Sequence, residues 1–445
     1  MSVATTHTAA PSVSQRQPYP AYKDSGVQWL GNVPSHWRLK RLKYAASMSA
    51  TKLTEKPSDL PYLGLENVEA GTGRLLIDIP TENVESVVNR FVEGDVLFGK
   101  LRPYLAKVVR ATFDGVCTTE MLALHPGRDI DGKYLFYRLL SEDFINLVNS
   151  FTYGVKMPRV SSEQIGDVYI ALPSLAEQRA IAAFLDRETA KTDALIAKKE
   201  RQIALLREKR TALVDRSVSH GLDDTIPLYD SGVEFLGAIP DHWQVKRLKF
   251  ISPELTVGIV VTPAKYYVDD GVPCLRSLNV REGQIADSDL VFISPESNAL
   301  LRKSMVFTGD IVSVRTGQPG TTAAIDQRFN GANCIDLIIV RQSPRFVSPF
   351  MVYVANSRIA KAQYGAGSDG AIQQHFNIET AKNLLAPFPP LEEQQSIVSY
   401  LDRETAKIDA LVTKVQEHID KLREHRAALI SAAVTGKIDV REGAV

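Results

Sequence analysis

The sequence LDRETAK at Leu185–Lys191 recurs without change at Leu401–Lys407, 216 positions later. Each copy lies in a long charged segment that carries an apolar stripe and contains neither glycine nor proline, a pattern typical of a helix. Seven identical residues at this separation predict that the chain is a duplicated unit.

The segments that open the two halves also match, whereas the segments that follow them differ. The matching pairs are Asp24–Val27 with Asp230–Val233, His36-Trp37 with His242-Trp243, and Lys40–Lys43 with Lys246–Lys249. The matching openings and helices thus form a shared framework that carries two different middle segments. This arrangement suits a protein that recognises two different targets at a fixed separation. A duplicated catalytic domain would more readily have kept its middle segments alike.

Composition restricts the class of protein. The 445 residues are enough for roughly two to four domains, and 52 basic residues balance 52 acidic ones. Neutrality counts mildly against a free-standing DNA-binding domain, but not against one that uses local patches or a basic partner. The three isolated cysteines fit a reducing cytoplasm and not a zinc module or disulfide framework. No segment reaches the apolar length that spans a membrane.

The pattern predicts an α+β protein in which two mixed domains alternate with two long helices. We expect a disordered tail at 1–20, mixed domains at 21–172 and 221–388, helical regions at 173–220 and 389–436, and a C-terminal tail at 437–445. Within the mixed domains, single helices are expected over 133–148 and 348–361.

The first long helix begins at a predicted capping box formed by Ser174 and Glu177, and glycines follow the ends of both helices. Apolar residues at spacings of three and four predict a coiled-coil seam. Its residues are Ile196, Ile203, Leu206, Leu213, Ile408, Val412, Val415, Ile419, Leu422 and Leu429. Arg210 and Arg426 interrupt this seam at the same heptad place.

Because the first helix has the weaker seam, we expect the two helices to pair with each other. Antiparallel pairing would place the mixed domains at opposite ends, related by a pseudo-two-fold axis. The segment after the second helix resembles the one after the first, so the C-terminal tail is expected near the N-terminal domain.

Catalytic signatures are missing from the sequence. It contains no phosphate-binding P-loop, no G-x-G-x-x-G turn, no H-E-x-x-H helix and no motif of amino-methylating enzymes. We interpret the repeated Trp37 and Trp243 as buried anchors, and His36 and His242 as hydrogen-bond partners rather than metal ligands.

Two loops in each mixed domain carry residue types that contact DNA. Arginine and lysine suit guanine or phosphate, glutamine suits adenine, and tyrosine packs on sugar or base. The candidates are Lys100, Arg102, Tyr104, Lys156 and Arg159 in the first domain, and Arg315, Thr316, Gln318, Thr321, Gln373, Gln374 and His375 in the second. An ordinary surface turn is the alternative for each loop.

Taken together, the Pro-x-His-Trp openings, the helix starts at Leu172–Gln178 and Pro389–Gln394, and the repeated LDRETAK resemble the specificity subunit of type I restriction-modification systems. The resemblance covers nearly everything after residue 20. It implies two target-recognition domains, each reading one half of a split double-stranded DNA target. It also implies an antiparallel coiled coil that sets the spacing.

The resemblance further implies partners and cofactors. Two methyltransferase (M) subunits would bind the helical regions and carry S-adenosylmethionine, and restriction (R) subunits would use ATP and Mg. The chain itself would have no catalytic residue, metal or cofactor. The competing interpretations are a non-catalytic scaffold that joins two protein-binding domains, and a nuclease or methyltransferase with an unrecognised site.

Overall fold

The structure is a computed structural model that describes residues 17–48, 52–54, 57, 59–76, 87–366 and 376–441. Its contacts divide the chain into two units. The first unit comprises residues 1–200 and 416–445, and the second comprises residues 201–415. Each unit therefore contains one mixed domain and parts of both long helices.

In the residues that the structure describes, the first mixed domain contains short strands and four α-helices. The strands are β1 (Tyr22–Asp24), β2 (Asn32–Pro34), β3 (Arg38–Arg41), β4 (Ala46–Met48), β5 (Lys52–Leu53), β6 (Tyr62–Leu63), β7 (Val88–Phe91), β8 (Val96–Gly99), β9 (Val108–Arg110), β10 (Gly115–Thr118), β11 (Met121–Pro126) and β12 (Tyr169–Leu172). The helices are α1 (Leu42–Ala45), α2 (Gly132–Leu140), α3 (Glu142–Ser150) and α4 (Ser162–Asp167). The first long helix, α5 (Leu175–His220), follows β12.

The second mixed domain repeats this plan. Its strands are β13 (Leu228–Asp230), β14 (Ala238–Pro240), β15 (Gln244–Arg247), β16 (Leu255–Val257), β17 (Tyr267–Val268), β18 (Val272–Leu275), β19 (Val280–Arg281), β20 (Gln284–Ile285), β21 (Val291–Ile293), β22 (Ile311–Val314), β23 (Thr322–Ala324), β24 (Asn333–Cys334), β25 (Leu337–Val340) and β26 (Leu385–Phe388). Its helices are α6 (Pro295–Leu300), α7 (Ser348–Asn356), α8 (Arg358–Ala366) and α9 (Ile378–Asn383), and the second long helix is α10 (Leu391–Val434).

One four-stranded sheet has the same topology in both domains. Its order is β4-β11-β8-β9 in the first domain and β16-β25-β22-β23 in the second, with antiparallel neighbours throughout. The other four-stranded sheet differs. Its strand order is β5-β7-β10-β6 in the first domain and β17-β21-β18-β24 in the second. The divergent middle segments of the sequence therefore correspond to a real difference in strand pairing.

The helix that follows each shared sheet is broken in two, where the sequence predicted one helix over 133–148 and one over 348–361. Ser141 separates α2 from α3, and Ser357 separates α7 from α8. Each serine has an extended backbone and donates its hydroxyl to a carbonyl three residues earlier, on Arg138 or Val354. A serine hydroxyl that satisfies a helix-end carbonyl in this way favours a break, so the prediction of single helices was wrong.

The long helices run antiparallel to each other within each unit. In the first unit the Asp193 carboxylate lies 2.9 Å from Nε of Arg426, and Glu200 pairs with Arg423 at 3.1 Å. In the second unit Arg210 pairs with Asp409 at 3.2 Å, and the later Val214 and Val218 share an apolar cluster with Ile397 and Leu401. The α+β class, the internal repeat and the antiparallel coiled coil are confirmed.

A tryptophan ties each domain to the start of a long helix. Trp37 donates its indole N–H to Oε1 of Glu177 at 3.1 Å, and Nε2 of His36 lies 3.0 Å from the other carboxylate oxygen. Ser174 caps the backbone N–H of Glu177, as predicted. A capping box would also need the Glu177 carboxylate to accept the backbone N–H of Ser174. Instead, the carboxylate binds the Trp37 indole and the His36 imidazole.

The second unit contains the same arrangement. Trp243 donates to Oε2 of Glu393 at 3.0 Å, and His242 lies 2.8 Å from the same oxygen. The hydrogen bond to Glu393 raises the pKa of the His242 imidazole. Both tryptophans are buried, which confirms their interpretation as anchors.

The C-terminal tail packs on the N-terminal domain, as predicted. The Asp439 N–H donates to the Gln17 carbonyl at 2.9 Å, and the Tyr22 hydroxyl donates to the Gly436 carbonyl. Tyr19 is buried in the same hydrophobic cluster as Ile438 and Val440 of the C-terminal tail. Ordered packing therefore begins within the N-terminal segment that was predicted to be disordered. Residues 1–16 of that predicted tail lie outside the described residues.

No helix in the described part of the chain combines the length and the apolar character needed to cross a lipid bilayer.

The duplicated ion pairs provide a test of the fold with a built-in control. The Arg426 side chain is 8% exposed and also donates to the carbonyls of Gly71 and Thr72, whereas its counterpart Arg210 is 31% exposed. We expect Arg426→Ala to destabilise the first unit by about 2–4 kcal/mol, since it removes a buried guanidinium and leaves a carboxylate and two carbonyls without their donor. Arg210→Ala should cost less than about 1 kcal/mol in the second unit.

Amide hydrogen exchange, resolved by peptide, measures the two effects separately in each unit. Equal losses of protection for Arg426→Ala and Arg210→Ala would contradict the difference in burial.

Candidate nucleic-acid interface

The two candidate loops of the first domain lie side by side. The first loop (residues 100–104) follows β8, and the second loop (residues 153–159) precedes α4. The N–H of Arg102 donates to the Pro158 carbonyl at 2.8 Å, and the N–H of Val160 donates to the Lys100 carbonyl at 3.2 Å. These backbone bonds hold the two loops, which carry the five candidate side chains of the first domain, next to each other.

Arg102 occupies a left-handed backbone conformation, with φ of 49°. Such a conformation costs a non-glycine residue free energy and is concentrated at binding and catalytic sites. It is followed by Pro103, which is buried and begins a short 3₁₀ turn. The side chains of Arg102 and Tyr104 are both exposed. The turn therefore exposes the guanidinium of Arg102 and the phenol of Tyr104 on either side of the buried Pro103.

Arg159 is held by an acidic partner that was not among the predicted site residues. Its Nε lies 3.1 Å from Oε2 of Glu120, and both side chains are partly exposed. The hydrogen bond to Glu120 raises the pKa of the Arg159 guanidinium. Glu120 follows β10 and also accepts the N–H of Lys100 at its carbonyl. The signal in the sequence was the alignment of Glu120 with Asp336 across the repeat.

Lys100 is half-buried at the base of the paired loops, and burial lowers the pKa of its ammonium group. Lys156, by contrast, is exposed in the second loop. The two lysines therefore differ in how far they can reach into solvent, and Lys156 is the more accessible cation.

The corresponding loop of the second domain is arranged differently. Arg315 occupies the place of Lys100 and forms an ion pair with Asp336, whose backbone is left-handed with φ of 51°. The N–H of Phe376 donates to the Arg315 carbonyl at 3.1 Å, which repeats the bond between Val160 and Lys100. The backbone frame is thus shared, while the side chains on it are not.

The turn after Arg315 exposes some of its candidates and buries another. Thr316 and Gln318 are exposed, but Thr321 is buried beside β23, and its N–H donates to the Gln318 carbonyl. The side chain of Thr321 is therefore turned away from the surface that the sequence assigned to it. Gln373, Gln374 and His375 lie outside the described residues.

All ten predicted seam residues are at least half-buried. Ile203, Ile408, Val415, Ile419 and Leu429 are buried, and Ile196, Leu206, Leu213, Val412 and Leu422 are half-buried. Arg210 and Arg426 do not simply interrupt this seam, because each forms an ion pair with an aspartate of the facing helix.

Metal-ligating side chains do not converge in the described part of the chain. Among those residues, no group of three or more His, Cys, Asp or Glu side chains is placed to hold a metal ion. Cys117, Cys274 and Cys334 are buried free thiols. Burial raises the pKa of Cys117 and of Cys274 to about 12, which keeps both thiols protonated near neutral pH.

The chain is similar in sequence to several known proteins. A family model described as "Type I restriction modification DNA specificity domain" matches residues 51–205. A Methanocaldococcus jannaschii protein named type I restriction enzyme MjaVIII specificity subunit is 24% identical over 92% of this chain and 94% of its own length. The Escherichia coli protein named type I restriction enzyme EcoDI specificity subunit is 29% identical over 56% of this chain and 53% of that relative, about half its length.

A solved structure shares the fold. It is described as the structural basis of complex assembly and conformational transition of the type I R-M system. The TM-score is 0.65, at 19% sequence identity, and the alignment covers 90% of this chain and 98% of the other.

The ion pair of Arg159 provides a test of how the paired loops are held. We expect Arg159→Ala to speed hydrogen exchange at the amides of Arg102 and Tyr153 by roughly two- to fivefold, since a partly exposed ion pair contributes modestly. Lys156→Ala is the matched control, because it removes a cation from the same loop without removing the bond to Glu120. Unchanged exchange in Arg159→Ala would show that the backbone bonds alone hold the loops together.

Proposed function

We propose that this chain is the DNA-recognition subunit of a type I restriction-modification complex. The family model, the named relatives and the shared fold support this proposal. Each mixed domain reads one half of a bipartite DNA target. The observation that carries the proposal is the juxtaposition, in the first domain, of two loops that share cationic and aromatic side chains on a hydrogen-bonded frame.

The chemistry of the first domain suits a duplex. The exposed Arg102 can donate two parallel hydrogen bonds to the O6 and N7 atoms of a guanine, and Tyr104 beside it can pack on sugar or base. Lys156 supplies a positive charge for phosphate, which positions a protein on DNA without specifying sequence. Arg159 is oriented by Glu120, so its guanidinium has a defined direction.

The second domain is proposed to read a different sequence. Its frame repeats the backbone bond between the two loops, but it carries Arg315, Thr316 and Gln318 in place of the lysine, arginine and tyrosine of the first domain. Different donors on the same frame present a different pattern to the base edges. Two unlike half-sites follow from two unlike loop sets.

Partner subunits complete the proposed activity. The equal numbers of acidic and basic residues leave the chain without the excess charge that DNA binding usually requires, so partners supply part of the surface that neutralises phosphates. We assign methyl transfer to two methyltransferase subunits that hold S-adenosylmethionine, and cleavage to restriction subunits that use ATP and Mg. In this proposal, the chain itself has no catalytic residue and binds no cofactor.

The long helices are proposed as the spacer and as the docking site for the methyltransferase subunits. The 46 residues of α5 and the 44 of α10 have a length of roughly 65–70 Å at 1.5 Å per residue. Their seam residues bury the apolar stripe, which leaves the charged outer faces for partner subunits.

Arg102→Ala tests the proposal at a single side chain. We expect the assembled complex to lose about 1–3 kcal/mol of binding at the half-site of the first domain, because a bidentate contact to guanine is removed. Preference at the other half-site should persist. Competition binding with duplexes that vary one half-site at a time measures both effects.

Arg102→Lys is the matched control, because it keeps the positive charge and loses the planar fork. A loss close to that of Arg102→Ala indicates a base contact. If Arg102→Ala instead weakened binding equally for all sequences, and Arg102→Lys restored the affinity, Arg102 would contact only phosphate. Failure of the wild-type complex to protect two separated half-sites in a footprint would overturn the proposed function.

A further inference from the structure

The second loop of the first domain ends in an apolar tip. Val155 is 102% exposed, Tyr153 is 61% exposed and Met157 is 53% exposed. They lie within five residues of each other, and the neighbouring Val160 is fully buried. A cluster of this kind on a protruding loop is unfavourable in water, since burial of apolar side chains is what stabilises a folded chain.

The support under the tip is rigid. Tyr153 and Arg159 exchange two backbone hydrogen bonds, of 2.9 and 3.0 Å, which close the loop at its base. The carbonyl of Pro158 accepts the N–H of Arg102, and Arg159 is held by Glu120. The backbone at the base is thus fixed by both neighbouring segments, while nothing in the described residues covers Val155.

The charge around the tip is positive. Lys156 lies between the two exposed apolar residues Val155 and Met157, and Arg102 is hydrogen-bonded to the base of the same loop. An apolar tip with cations beside it complements a polyanion that has an apolar interior, which describes the stacked bases of a duplex between two phosphate backbones. Proteins that insert apolar side chains between base steps use residues of this kind, methionine included.

We propose that Val155 and Met157 form a wedge that enters the duplex between two adjacent base pairs of the half-site read by the first domain. This inference rests on the proposed function, because it needs the first domain on DNA. Insertion partly unstacks one step and bends the duplex at that step. It makes the local deformability of the DNA part of what the first domain recognises, in addition to any contact at base edges.

Tyr153 extends the same surface. Its ring is exposed next to the wedge, and aromatic rings stack on bases that have lost a neighbour. The two apolar side chains and the ring would therefore replace the contacts that the opened step loses.

The experiment uses the assembled complex with its methyltransferase subunits. The probe is a duplex that carries the target defined by methylation mapping, with 2-aminopurine placed in turn at each purine of the first half-site. The fluorescence of 2-aminopurine rises when the base is unstacked. Methyltransferases extrude their target base, so the signal at the methylated adenine is set aside.

We expect a rise in fluorescence at one further step with the wild-type complex. The double variant Val155→Ser with Met157→Ser should abolish that rise and weaken binding about tenfold, because the inserted apolar surface is lost. A duplex with an abasic site at the responding step should bind the wild-type complex more tightly than the intact duplex does. The double variant should bind the two duplexes equally.

Val87→Ser is the matched control, because Val87 is an exposed valine of the same domain before β7 and lies outside the paired loops. It should keep both the fluorescence rise and the affinity of the wild type. An equal loss in Val87→Ser would overturn the specific role of the tip.

Three further outcomes would overturn the wedge. Weaker binding of the double variant without a fluorescence change in the wild-type complex would place the tip at a base edge in a groove. If the double variant no longer bound the methyltransferase subunits, the tip would be a surface that docks those subunits and not a wedge in DNA. A footprint that shows no protection of the first half-site by the wild type would remove the proposed function itself, and the wedge with it.

Discussion

One carboxylate in each half of the chain, buried in the first half and partly exposed in the second, fixes the mixed domain to a long helix. Glu177 is shared by the indole of Trp37 and the imidazole of His36, and it is almost fully buried. A buried carboxylate is costly unless hydrogen bonds compensate for its lost hydration, so these partners hold the segments together strongly. Glu393 repeats the arrangement with Trp243.

A third segment closes each of these anchors. Gly436, just beyond the second long helix, packs so closely on Pro34 and Trp37 that a Cβ there would lie 2.4 Å from the proline ring. Gly221 packs in the same way on Trp243 beside Glu393. Both glycines also have left-handed φ values, of 73° and 74°, which a side chain would strain. The opening segment of a domain, the start of one helix and the end of another thus meet at one point in each unit.

Much of this frame could be predicted from the sequence, because its signals are local or repeated. The LDRETAK repeat, the heptad spacing and the Pro-x-His-Trp openings predicted the helices, their pairing and the buried tryptophans. The breaks at Ser141 and Ser357 were missed, because helix periodicity continues across each serine. Arg210 and Arg426 were interpreted as interruptions, because the aspartates that pair with them lie on the other helix and do not stand out in the sequence.

The candidate site was less predictable, because its geometry depends on bonds between distant segments. Residue type selected Lys100, Arg102 and Arg159 as candidates, but only the structure shows that their loops adjoin and that Glu120 forms an ion pair with Arg159. Thr321 was selected for its hydroxyl, yet it is buried beside a strand. The sequence predicted a loop around Val155, but the exposure of the Val155 side chain depends on the fold.

Mapping adenine methylation across the genome of a host that carries this chain with its methyltransferase subunits tests most directly whether two unlike domains read two sequences. We expect methylated sites that share two short defined sequences, different from each other, on either side of a spacer of constant length and undefined sequence. Methylation within a single uninterrupted sequence, or at sites with no common sequence, would contradict recognition by two separate domains.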